Sequence, residues 1–472
     1  MHIMKQKKIL FLPMILCFTL TACEEWFDLS PKSELKAEDL FETEQGFRDA
    51  LIGCYALMAQ PELYGAALTY TYMDVLSGYY TTASGSLNAF RYAYEHDYTN
   101  QIEESRKDDI WKKQYNVIAN LNCLLERIDK KADVFSADNY ELIKGEALAM
   151  RGFIHFDLLR MFAPSPSGCV PSAEDAIPYV DRYTNQLFPR LTLSEVLERI
   201  IDDLQQARIL LAEVDPYGPR HGDFDLENLT GILKGRTFRL NYYATTALLA
   251  RTLLYRGGKN DKSQAYEYAT EVIKSNLFPF IGSADLSSID QNGFVQENIF
   301  ALEYIGLKEE LIDVYFYVPS TSSQMLAISS TTLNKIYPVA LNIDYRKQWW
   351  LEESGSYHLV SKYNYSERVP LLKVSEMYLI ATETAPTLDL AAEWFNQLQY
   401  HRGLPDEELS ETQLKERLLK EYAKEFLAEG QLFYAYKRMN IDKTPITDTP
   451  LANPKVVYTL PLPEENTFFV SD

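Results

Sequence analysis

Rings set among hydrogen-bonding side chains are where this chain's residues could do chemistry, and the chemistry they suit is reversible binding. Tyr70, Tyr72, Asp74, Tyr79 and Tyr80 are followed by Asn88, Phe90, Arg91, Tyr92 and Tyr94. Flat aromatic faces stack against the C–H faces of a ring-shaped ligand, while carboxylate or amide side chains bind its hydroxyls. Tyr304 with Tyr315, Phe316 and Tyr317 forms a second such run. Tyrosine outnumbers phenylalanine 33 to 23, and a ring with an apolar face and a polar rim suits ligands of mixed character, such as sugars and peptides. The candidate contact residues are therefore Asp74, Tyr79, Tyr80, Asn88, Phe90, Tyr92, Tyr315 and Tyr317. Period-two spacing, in Tyr70 and Tyr72 and again in Phe90, Tyr92 and Tyr94, places rings on one face of a strand. Such a face serves a ligand or a packed layer of helices equally well.

Covalent and acid–base catalysis leave no comparable trace. No G-x-S-x-G elbow, H-E-x-x-H helix or phosphate-cradling glycine loop occurs, and the whole chain has six histidines. Neighbouring carboxylates such as Asp202 with Asp203, or Glu352 with Glu353, cannot face each other across a site on a helix. Asp223, Asp225 and Glu227 have the spacing of a calcium loop, but Asn228 stands at the glycine position and Lys234 at the last ligand position, which leaves an acidic loop. The expectation is a protein without enzymatic activity, cofactor or metal. A glycoside hydrolase, whose two carboxylates can be far apart in sequence, is the catalytic alternative.

The N-terminus points to a compartment. Lys5, Lys7 and Lys8 precede an apolar run from Ile9 to Leu20, within the ~7 to 15 residues of a secretory core and short of the about 20 needed to span a bilayer. The run ends in Leu20, Thr21, Ala22, Cys23, a lipobox. Residues 1–22 are read as a lipoprotein signal peptide and Cys23 as the lipidated first residue of the mature chain. Each buried acyl methylene contributes about 0.8 kcal/mol, so several chains anchor a folded domain without spanning the membrane. Cys54, Cys123 and Cys169 remain; the first two lie in apolar helical patterns, where cysteine acts as a small hydrophobe, and no disulfide framework is expected. The formal charge of -21 repels phosphate backbones and anionic headgroups, so nucleic-acid partners and polybasic membrane docking are disfavoured.

The elements that must position these residues are helices. Tyr140, Ile143, Ala147, Met150, Ile154, Leu158 and Met161 recur at steps of three and four, with Leu148, Phe153, Phe156 and Leu159 on the other flank, as in a helix sandwiched between neighbours. Thr192 and Glu195 form a capping box ahead of a helix that buries Val196, Ile200, Leu204, Ala207 and Leu211. Further helices are expected over Leu240–Tyr255, Ser263–Ile273, Val374–Ala385 and Leu388–Tyr400, the last two parted at Pro386, and a final one after a Ser410/Gln413 cap. Alanines at the contacts give these pairs a tetratricopeptide-like character. Proline- and glycine-rich stretches separate them, and strand-like runs over Ile299–Tyr304 and Val314–Val318 lie in an irregular segment.

Several of these segments together resemble the SusD/RagB family. Leu29, Ser30, Pro31 and then Phe41, Thr43, Glu44, Gly46, Phe47 look like its opening; Gly145 to Phe153 with His155, Phe156, Asp157 and Arg160 is similar to its central helix. Arg239, Leu240, Asn241, the His401, Arg402, Gly403 turn, and Glu421, Glu425, Phe426, Glu429, Gly430 continue the likeness, and Leu460 to Glu464 resembles the terminal signature. Tyr434, Ala435, Tyr436 departs from a more polar pattern. The resemblance implies a mainly α fold, a tetratricopeptide-like helical-pair scaffold with a loop-rich face of irregular and short-strand structure where ligand binds. One domain over 23–472 would carry loop-rich insertions around 163–190, 215–236 and 280–370. It further implies an outer-membrane lipoprotein facing the cell exterior, where Glu24 and Glu25 resemble an export signal. Such a protein captures an oligosaccharide, or alternatively a peptide, and delivers it to a SusC-like TonB-dependent transporter. A helical structural adaptor is the remaining alternative. Glu146, Arg151, Asp157 and Arg160 are expected to form a compensated ionic network rather than a catalytic set, because buried charges must be paired.

Overall fold

A computed structural model of the protein describes residues 38–282, 286, 293–317, 323–341, 343–447, 450–451 and 453–464. The segment 1–22, Cys23, Glu24 and Glu25 lie outside the described residues. The longer helices are α1 (Glu44–Met58), α2 (Gln101–Ile128), α3 (Asn139–Phe162), α4 (Leu193–Ala212), α5 (Tyr242–Arg256), α6 (Asp261–Lys274), α7 (Val374–Thr384), α8 (Leu388–His401), α9 (Glu411–Glu425) and α10 (Leu432–Arg438). From α1 to α8 each packs on the next in chain order, the helical-pair architecture expected from periodicity.

Local chemistry explains the helix boundaries. Glu195 N donates to Thr192 Oγ1 at 3.3 Å and Thr192 N to Glu195 Oε2 at 2.9 Å, so the capping box opens α4. Pro386 falls in the gap between α7 and α8, where no helical N–H is required. Ser410 stands at the N-cap of α9 with its hydroxyl on Gln413 Oε1 at 3.1 Å. Every residue of α3 from Gly145 to Phe162 is buried, which requires neighbours on all sides. Gly145 and Gly152, two turns apart, let α4 approach: a Cβ on them would come to 2.8 Å from Leu211 Cγ and 3.1 Å from Leu204 Cγ. Cys54 and Cys123 are buried, as small hydrophobes would be.

The remaining chain folds as short antiparallel pieces. β1 (Asp175–Pro178) pairs with β2 (Arg190–Thr192); β3 (Asn298–Glu303) pairs with β7 (Arg368–Lys373), from Asn298 opposite Lys373 to Glu303 opposite Arg368. β6 (Tyr357–Val360) is central between β4 (Ile328–Ser329) and β5 (Leu351–Ser354). The strand-like run from Val314 is instead helical over Asp313–Phe316. Burying Ile312 and Phe316, four residues apart, overrides an alternation that β-branched and aromatic residues suggest. Tyr72–Leu76 and Arg91–Tyr94 are likewise helical turns, so the expected aromatic strand faces do not form.

Charge is buried in pairs. Arg151 holds Asp203 through two bonds of 2.7 and 2.6 Å, Arg236 joins Glu146 and Asp215, and Arg160 pairs with Asp157. The four charged residues singled out on α3 are thus all paired: Arg151 ties α3 to α4, Glu146 ties it to the turn before α5, and Asp157 and Arg160 pair within α3 itself. A larger network lies beneath β7 and α9. Arg346 spans Asp344, Glu421 and Glu425; Arg402 spans Glu297 and Glu425; Lys373 reaches Glu425 and Glu429; Lys362 reaches Glu429; and Lys424 reaches Glu421. These five cations and five carboxylates balance, and buried charge is tolerated when it is compensated and hydrogen-bonded.

Candidate functional site

An open cleft of about 560 Å³ lies where the first turns of α2 meet the loop after α1 and the segment around Tyr315. Its polar wall follows from the cap of α2. Asn100 Oδ1 accepts from Ile102 N at 3.0 Å, which fixes the helix start and aligns residues four apart. Gln101, Ser105 and Asp109 form one row and Ile102, Arg106 and Ile110 the next, and both rows line the cleft. The aromatic wall is Phe90 and Tyr315, ring centroids 6.1 Å apart and edge to face.

Arg106 joins the two walls. Its guanidinium lies 4.7 Å from the Phe90 centroid and 5.3 Å from that of Tyr72, donates from Nη2 to Ala89 O at 3.1 Å and pairs with Glu103. Cation–π contact and the ion pair together fix its plane. Glu103 is fully buried; burial pushes its carboxyl above the ordinary range against the pull of Arg106. Backbone stitching holds Phe90 and Tyr315 in register: Ala89 N donates to Ser323 O at 2.7 Å, Leu326 N to Tyr315 O at 2.8 Å, and Thr82 Oγ1 to Met325 O at 3.0 Å.

The residues expected at the site separate into four groups. Phe90 and Tyr315 line the cleft. Asn88 stands beside it with its amide engaged, Nδ2 on Met325 O and Oδ1 on Phe90 N, both at 2.9 Å. Tyr92 is half-buried beneath Arg91, and Tyr317 is 55% exposed; neither lines the cleft. Asp74, Tyr79 and Tyr80 are corrected to core residues, each with 0% exposure. Asp74 Oδ1 accepts from Gly430 N at 2.9 Å, Tyr79 donates to Ala423 O at 2.7 Å, and Tyr80 donates to Tyr70 O at 2.8 Å. Aromatic enrichment there packs the 70–80 segment against the chain around 423–430.

Reading by aromatic runs missed Arg106, Asp109, Gln101, Glu62 and Gln324, all on the cleft wall. The four-residue spacing of Gln101, Ser105 and Asp109 after an asparagine cap was the available signal; nothing local marks Glu62 or Gln324. Two smaller cavities lie elsewhere, one of about 220 Å³ between His96, Tyr436 and Tyr458, another of about 40 Å³ among Arg160, Arg251 and Tyr434. Among the described residues no cluster of three or more histidine, cysteine or carboxylate groups is arranged to hold a metal ion, and no helix is long and apolar enough to cross a membrane. The acidic loop is closed by its own contacts, Asp223 to Arg220 Nε at 2.9 Å and Asp225 to Asn228 Nδ2 at 2.8 Å.

Known proteins resemble this chain in sequence over part of its length and in fold over most of it. Residues 25–218 match a SusD-like family described as starch-binding and associating with the outer membrane. A SusD-like protein of Formosa agariphila is 24% identical over 217 residues, 44% of this chain but 38% of the relative, so the match spans well under half of that protein's length. Among solved structures, a SusD superfamily protein of Bacteroides vulgatus superposes with a TM-score of 0.68 at 21% identity, covering 90% of this chain and 97% of the other. A SusD-like carbohydrate binding protein of the same organism gives 0.65 at 19% identity over 84% and 83%.

Proposed function

We propose that this chain, whose residues 25–218 match a SusD-like family, is a surface-exposed, lipid-anchored binding protein that captures an oligosaccharide in the cleft at the start of α2. Cargo passes from there to a TonB-dependent outer-membrane transporter. The cleft carries this reading. Its volume of about 560 Å³ falls in the range of small-ligand sites, and aromatic faces opposite planar polar groups complement sugar rings, whose C–H faces are apolar and whose rims are hydroxylated. The family matched over 25–218 is described as starch-binding, and that span contains most of the cleft wall. The anchor would be Cys23, and the membrane attachment would come from its acyl chains alone.

The test uses the Cys23→Ser protein, expected to be released from membranes, titrated calorimetrically with neutral oligosaccharides. Saturable binding without product formation is expected, and Tyr315→Ala should weaken it by about tenfold, the loss of one stacking partner. Release of shortened sugars would overturn a capture role in favour of hydrolysis. Intact protein extracted from membranes should carry a TonB-dependent transporter with it; isolation without one would remove the delivery step.

A further inference from the structure

The charges on the cleft wall point to a ligand class within that reading, on which this inference rests. Glu62, Arg106 and Asp109 are the charged side chains lining the cleft among the described residues. Arg106, the wall's cation, is paired with buried Glu103 and placed between the rings of Phe90 and Tyr72. An anionic ligand that drew this guanidinium away would strand Glu103 in the core, where an uncompensated carboxylate is costly. Glu62 is met by Lys113 Nζ at 3.2 Å, a second neutral pair. Asp109, exposed on the third turn of α2, has no ion pair among the described residues, so the wall as a whole is left negative. The chain carries -21 overall. A cleft whose net charge has the sign of the whole chain's repels ligands of that sign.

We propose that the cleft takes uncharged oligosaccharides and rejects chains bearing carboxylate or sulfate groups. Arg106 then acts as a fixed hydrogen-bond donor to hydroxyls, its charge already answered by Glu103. Asp109 accepts hydroxyl hydrogen bonds from neutral sugars and repels acidic ones.

The Cys23→Ser protein would be titrated with neutral hexasaccharides of glucose, xylose and mannose, and with hexagalacturonate and a sulfated hexasaccharide. At low salt the acidic sugars should bind at least about tenfold more weakly than a neutral binder, with the gap narrowing as salt screens the repulsion. Asp109→Asn, which keeps the shape of the side chain and one of its two acceptor oxygens, should shift the acidic-to-neutral affinity ratio toward the acidic sugar by about threefold or more. Acidic sugars binding as tightly as neutral ones would overturn this inference and leave capture standing. An unchanged ratio in Asp109→Asn would remove the electrostatic basis of the selection. Absence of binding by every sugar would overturn capture itself, and this selectivity with it.

Discussion

The ionic network beneath α9 and the cleft at the start of α2 are made of the same side chains, arginine, carboxylate and aromatic ring, and differ in whether any of them faces water. In the network Arg346 and Arg402 are 0% exposed, and Lys362 and Lys373 lie 4.2 and 4.9 Å from the Trp350 ring, with every cation matched to carboxylates. In the cleft Arg106 is matched as well, but Asp109, Glu62 and Gln101 are exposed and Tyr315 is only half-buried. Residue type therefore says little about function here. What separates the scaffold from the cleft is whether hydrogen-bonding capacity is left over after packing.

Removing one partner from the network should produce the largest effect. Arg402 holds Glu297 through bonds of 2.8 and 2.6 Å and Glu425 through bonds of 3.0 and 2.8 Å. Arg402→Ala leaves Glu297 without a cation in the core and removes one of the three cations around Glu425, and a loss of about 3–5 kcal/mol is expected, read as a lowered urea midpoint. A change under about 1 kcal/mol, the scale of an exposed pair, would erase the contrast with the cleft.

Acid should break the same region next. Burial alone would raise Glu421, but the charges of Arg346 and then Lys424 overcome it and hold its carboxyl down at about 2; Glu425 is held well below the ordinary range by Arg402, Lys373 and Arg346 against the same burial. The unfolded chain then binds more protons than the folded one at acid pH. The stabilisation is complete above the ordinary carboxylate pKa of about 4.5 and is lost progressively as pH falls toward 2. Urea midpoints measured from neutral pH downward should fall through that window, and Glu421→Gln, less stable at neutral pH, should show a flatter decline. An equal slope in the variant would place the acid sensitivity elsewhere.

The scaffold was legible because its signals are local. The period of α3, the Thr192/Glu195 box and the break at Pro386 each act within a few residues of chain. The His401–Gly403 turn and the Glu421–Gly430 stretch could be matched to a family, and in space Arg402, Glu421, Glu425 and Glu429 form the ionic network. Of the cleft's lining, the aromatic runs held Tyr72, Phe90 and Tyr315. The cleft is assembled from segments more than 200 residues apart, and whether a tyrosine ends in a wall or in the core depends on what packs over it. Tyr80 and Tyr315 read alike in sequence; Tyr80 is covered by the chain's own aromatic cluster, Phe316 lying 5.7 Å from its ring centroid, while Tyr315 remains at the edge.

That pair gives the finest test of the distinction. Tyr80→Phe deletes a hydroxyl that donates to Tyr70 O at 2.8 Å inside the core. It leaves one buried carbonyl with one bond fewer, so a loss of about 1 kcal/mol is expected. No hydroxyl is removed from the cleft, and the affinity of the folded variant for a neutral oligosaccharide should stay within about twofold, below the tenfold of 1.4 kcal/mol. Tyr315→Ala should show the reverse weighting, a modest change in urea midpoint with a marked loss of affinity. Calorimetry and denaturation on both variants separate the two roles. If Tyr80→Phe weakened binding as much as Tyr315→Ala does, the cluster under the cleft would have to move to admit ligand, and burial in the free protein would no longer mark a residue as scaffold.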